Sequence, residues 1–104
     1  MSENIKNEKL NDAIEYQNNA IVSKQIIKKS NGNITLFAFD INESLSEHTS
    51  PYDAFVYVVE GELEITIGGN PYNLKSGDFI IMPANIPHGL KSILQSKMLL
   101  VMIK

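Results

Sequence analysis

From residue 20 onward the chain is dominated by a two-residue alternation of apolar and polar positions. Leu63, Ile65 and Ile67 alternate with Glu62, Glu64 and Thr66, the pattern of a strand with one dry and one wet face. Ile21–Lys28 and Ile34–Ile41 are rich in β-branched and aromatic residues, with Ser30-Asn31-Gly32-Asn33 as a turn between them. Ala54–Val59 and Leu63–Ile67 flank Glu60-Gly61, which predicts a hairpin. Gly68-Gly69-Asn70-Pro71 and Lys75-Ser76-Gly77-Asp78 turn the chain twice more before Phe79–Met82. A break at Pro83–Pro87 leads to a strand around His88, and Lys97–Ile103 closes the chain. Short strands separated by glycine turns predict an all-β antiparallel sandwich or barrel. Phe37, Phe39, Phe55 and Tyr57 fall at strand spacing and are expected in the core, with Met82, Met98 and Met102 in the core or at an interface.

Residues 1–20 read differently, being rich in Asn, Glu and Lys. Leu10, Ala13 and Ile14 are spaced for one or two turns of amphipathic helix. Such a helix is marginal alone and must dock on the barrel or fray. The expected division is a partly helical N-terminal extension, 1–20, and a β-barrel domain, 21–104. Ala54–Val59 and Met98–Ile103 are apolar on both faces. One face of each fills the interior, so the other needs cover. The N-terminal segment supplies some, and a second subunit supplies the rest, which predicts a homodimer.

Composition narrows the class. A chain of 104 residues makes one domain. Its 43% hydrophobic and 20% charged residues fit a folded globule rather than a disordered or membrane chain. The longest apolar runs are far short of the roughly 20 residues a bilayer span needs. Met1–Leu10 lacks the apolar core of a secretory signal, so a cytoplasmic location is expected. The absence of cysteine removes disulfides, thiolate zinc sites and cysteine nucleophiles together. A net charge of −3, with Lys28-Lys29 the only basic pair, argues against nucleic acid as a partner.

Two segments carry a family resemblance. His48-Thr49-Ser50-Pro51-Tyr52-Asp53-Ala54, running on to Glu60-Gly61, resembles the first cupin motif (His, any, His, three or four residues, Glu, six residues, Gly). Gly77-Asp78-Phe79-Ile80-Ile81-Met82-Pro83-Ala84-Asn85-Ile86-Pro87-His88 resembles the second (Gly, five residues, Pro, any, Gly, two residues, His). The resemblance implies a jelly-roll-like cupin β-barrel. Gly61 and Gly77 then occupy turns where positive φ is cheap for glycine, and Asn85 replaces a glycine at little cost.

In metal-binding cupins the two motifs supply three His and one Glu, all directed into the barrel. Carried over by position, those slots hold His48, Ser50, Ala54 and His88. The two histidines are the only ones in the chain, and both fall on ligand slots. The resemblance implies a ligand cavity lined by His48, Ser50, Ala54, Val56 and His88. A two-histidine site (His48, His88) for a divalent zinc, nickel, manganese or iron ion would need water or one added carboxylate. Asp53 is one residue out of register and is expected to point away, as is Glu47, while Glu43 is unconstrained in direction. The leading function is a cupin barrel that binds a small molecule, for sensing or sequestering. The alternatives are a metal-dependent isomerase, decarboxylase or dioxygenase acting on a small acid or sugar, and a regulatory or assembly partner.

Overall fold

The computed structural model describes Ile5 and residues 7–104. Nine strands follow one another: β1 (Ile21–Lys29), β2 (Gly32–Phe39), β3 (Ser44–His48), β4 (Asp53–Glu60), β5 (Glu62–Ile67), β6 (Asn70–Lys75), β7 (Phe79–Met82), β8 (His88–Ser92) and β9 (Ser96–Ile103). They form a five-stranded sheet in the order β1-β2-β9-β4-β7 and a four-stranded sheet in the order β3-β8-β5-β6. Every pairing is antiparallel. This is the two-sheet jelly-roll arrangement that the turn spacing predicted.

The two sheets bury a shared core because alternate residues of each strand face inward. Val56 and Val58 of β4, Leu63 and Ile65 of β5, Phe39 of β2 and Met98 of β9 are essentially inaccessible. Gly61 joins β4 to β5 at φ +92°, and a Cβ there would lie 2.2 Å from the Gln95 carbonyl oxygen. Only glycine satisfies both constraints. Gly77 and Asn85 also take positive φ, as expected.

The two strands that are apolar on both faces turn out to be neighbours: β4 pairs β9, with Phe55 opposite Val101 and Tyr57 opposite Leu99. Phe37 and Phe39 point into the core as expected. Phe55 and Tyr57 do not: the inner positions of β4 are Ala54, Val56 and Val58, which puts both aromatics on the outer face. Part of that face is covered by the N-terminal segment. Leu10, Ala13, Ile14 and Tyr16 pack on Leu36, Ala38, Val22, Val59 and Leu99, and leave Leu36 and Ala38 fully buried. The expected helix is a single 3-10 turn, Leu10–Asp12. A segment this short cannot repay helix nucleation, so tertiary contacts hold it instead. Tyr16 donates a hydrogen bond to the Glu60 carboxylate, and the Lys97 ammonium lies 5.1 Å from the Tyr16 ring centroid while donating to the Asn11 carbonyl. Burial, with the Glu60 carboxylate beside it, pushes the Tyr16 hydroxyl far above its usual pKa, which keeps it a donor.

Among the described residues no helix is long and apolar enough to cross a membrane.

Candidate functional site at the barrel mouth

His48 ends β3 and His88 begins β8, and the two are directly opposed in the β3–β8 ladder. Their rings meet edge to face with centroids 4.4 Å apart. The sequence reading set His48, Ser50 and Ala54 along one strand, with His88 facing them. The structure corrects this. Thr49–Tyr52 form no strand and carry the chain from β3 in one sheet to β4 in the other. The histidines are therefore side by side on the four-stranded sheet, and Ala54 faces them from the five-stranded one.

Each imidazole is fixed by its own backbone. His48 Nδ1 lies 2.8 Å from the Ser46 carbonyl oxygen, and His88 Nδ1 lies 3.3 Å from that of Ile86. A carbonyl only accepts, so Nδ1 carries the proton in both rings and Nε2 is left with a free lone pair in the neutral form. His48 is exposed and His88 is buried. Burial, reinforced by the neighbouring His48, holds the His88 pKa below the ordinary imidazole value. At neutral pH His88 is thus an uncharged base with one free nitrogen.

Ser50 ties the mouth together. Its carbonyl accepts from Asn85 N at 2.7 Å, and its hydroxyl accepts from Tyr52 N at 3.2 Å and faces Met102 Sδ at 4.0 Å. Asp53 lies one register step away, as expected, and its Oδ1 accepts from Ala84 N at 2.9 Å. It fastens the loop that delivers His88 and does not face the imidazoles. Glu47 lines a cavity of about 250 Å³ on the outer face with Glu64, Thr66 and Lys91. Ala54 and Val56 belong to the packed core, Val56 one step deeper. A second cavity, about 330 Å³, lies between the N-terminal segment and the outer face of the five-stranded sheet, against Leu10, Ile26, Ile34 and Leu99.

Among the described residues no three His, Cys, Asp or Glu side chains converge as metal ligands. The donors at the mouth are two imidazoles and a hydroxyl, with a methyl group at the carboxylate slot. That set does not fit the hard divalent ions the fold's usual three-His, one-Glu arrangement serves.

The sequence reading missed the row beside the carboxylate slot. Ala54 is paired with Met82 on β7 and with Met102 on β9, so a thioether flanks it on either side. Both methionines were read as filler, since only the cross-strand register shows them bracketing one position.

Residues 35–104 match the family model described as a cupin domain. A conserved protein of unknown function from Streptococcus pyogenes superposes with a TM-score of 0.92 at 33% identity, covering 99% of this chain and 90% of that one. A cupin 2 conserved barrel domain protein from Leptotrichia buccalis gives 0.88 at 39% identity, covering 90% of this chain and 46% of that one. The curated polyketide synthase CurC of Streptomyces cyaneus is 36% identical over 52 residues, which is 49% of this chain and 34% of that protein. Protein SchB of Streptomyces halstedii is 33% identical over 51 residues, 48% of this chain and 37% of that protein. The matched segment thus spans little more than a third of either curated relative.

Proposed function

The chain belongs to the cupin family, and from that premise we propose that its barrel mouth binds a small organic molecule through His48 and His88, for sensing or sequestering. The observation that carries this reading is the pair itself: two imidazoles in contact, each anchored through Nδ1, each presenting Nε2. Such a pair, backed by an apolar barrel interior, has the composition of a small-molecule site: mostly apolar walls with a few convergent polar groups. The name of a curated relative, a polyketide synthase, favours an organic ligand over a macromolecular one. The functional unit we propose is a homodimer built on the outer face of the five-stranded sheet.

The test is a thermal-shift and NMR screen of tag-free protein against a set of phenols, small aromatic acids and sugar acids. His48→Ala and His88→Ala are run in parallel. A hit at this site moves the signals of both rings and loses about 1–3 kcal/mol of binding in each variant, the cost of one buried hydrogen-bonding partner. Hits whose affinity neither variant alters would refute the mouth as the site.

A further inference from the structure

We propose that the mouth is a soft-metal site that takes copper(I), held by His48, His88 and the Met102 thioether, with Met82 on the far side of Ala54 as a second sulfur. This deepens the reading of the mouth as the functional site and rests on it.

The donor chemistry comes first. Thioether sulfur and neutral imidazole favour copper(I), whereas zinc, manganese and iron in such barrels draw on carboxylate or further imidazole. Here the carboxylate slot is Ala54, and the two residues opposite it across the ladder are both methionine. The replacement of a hard donor by a methyl group between two soft ones changes which ion the mouth can hold.

Placement comes second. Ala54, Met82 and Met102 share the inner face of the five-stranded sheet and pack in one cluster with Ile67 and Leu90 of the opposite sheet. Ile67 is the direct ladder partner of His88, so the methionine row and the histidine pair border the same group of side chains. Facing sheets lie about 10 Å apart, a gap that a methionine from one side and an imidazole from the other close between them. Ser50 supplies the link at the rim, with its hydroxyl toward Met102 Sδ and its carbonyl on the loop that leads to His88. Ala54 contributes the space, since a larger side chain there would part the two sulfurs.

The third element is pre-organisation. Ligating histidines characteristically donate the second ring N–H to an oxygen, which fixes tautomer and orientation. Both rings do so before any ion is present.

Copper(I) alone is the probe. Tag-free protein is titrated anaerobically against a chromophoric copper(I) chelator, with zinc(II) and manganese(II) compared by competition. One copper(I) per chain is expected, and the divalent ions should fail to displace it. His48→Ala and His88→Ala should each abolish retention. Met102→Leu preserves volume and fold, and it should weaken retention by at least about tenfold, since even partners behind a ligand cost that much. In the parent, the Met102 methyl NMR signal should shift on loading while that of Met98, deeper on the same strand face, stays in place. Copper(I) lost to the chelator at one equivalent, or held as tightly by Met102→Leu as by the parent, overturns the proposal. So does displacement by zinc(II). If organic ligands still bind through the histidines while copper(I) does not, the copper assignment alone falls. If His48→Ala and His88→Ala change neither, the mouth itself is not the site.

Discussion

His88 couples the site to the stability of the fold. Its ring is buried, and burial makes the charged form costly, so its pKa in the folded chain lies below the unfolded value of 6.5. Between those two values the unfolded chain binds more protons than the folded one. Stability therefore rises with pH there. The full contribution is present above 6.5 and is lost as the pH falls through the folded pKa. Asp40 behaves differently. Its carboxylate accepts from Asn19 N at 2.7 Å, Gln95 Nε2 at 3.0 Å and Ile41 N at 2.9 Å, and these bonds hold its pKa below the usual 3.8. Its contribution is fully present above 3.8 and is lost only as the pH falls below that value. Thermal unfolding followed from pH 8 down to pH 3 should accordingly show two separate losses. His88→Gln should remove the upper one and leave the lower one in place. An upper loss that persists in His88→Gln would show that another group carries it.

Turns and strands make a second level, and the turns permit a clean comparison. Gly61 and Gly77 have nearly equal φ, +92° and +90°, but a Cβ at Gly61 would strike the Gln95 carbonyl and Ser96, while none at Gly77 would meet anything within 4 Å. Gly77→Ala should cost about 1–3 kcal/mol, the strain of positive φ alone. Gly61→Ala should cost clearly more, because β4 and β5 must also part from the segment leading into β9. Chemical denaturation of both variants measures the difference, and equal losses would mean that the clash is relieved at no cost. These turns were legible in the sequence because glycine and proline punctuate them. β7 was read with its true bounds since Gly77-Asp78 and Pro83 close it at either end. β3 was not read as a strand of its own, because Ser44–His48 has Leu45 as its single apolar residue. From that gap followed the placing of His48, Ser50 and Ala54 on one strand. The faces of β4 were illegible for another reason: both of its alternating sets are apolar, so period alone cannot say which is inside. The histidine pair was visible as motif positions. The methionines beside Ala54 were not, since strand register is a property of pairing and leaves no mark on either segment alone.

For the molecule as a whole, the outer face of the five-stranded sheet decides the oligomeric state. The N-terminal segment covers only the end of that face around Leu36 and Ala38. Beyond it one row runs across all five strands: Ile27 opposite Ile34, then Val101, Phe55 and Ile81. Phe79 stacks on Phe55 at 5.2 Å and is 62% exposed, with Ile103 at 60%, Ile81 at 49%, Ile27 at 45% and Ile26 at 44%. Five large side chains half in solvent amount to an apolar patch on the order of 400–500 Å², near the top of what a monomer of this kind leaves uncovered. A standard interface buries about 800 Å² per partner, of which about three-fifths is apolar. The patch is of that size. Its rims also differ in charge, with Lys24, Lys28 and Lys29 along β1 and Asp53 and Asp78 beside β7, so a second copy can offer each rim its complement. Light scattering should give twice 11.6 kDa from about 1 to 100 µM, since dimer population follows concentration by mass action. Ile81→Lys should give the monomer mass with its strand content unchanged, because it alters only the outer face and leaves Met82 beside the mouth in place. A monomer mass for the parent at every dilution would show that this face is covered by something other than a second copy.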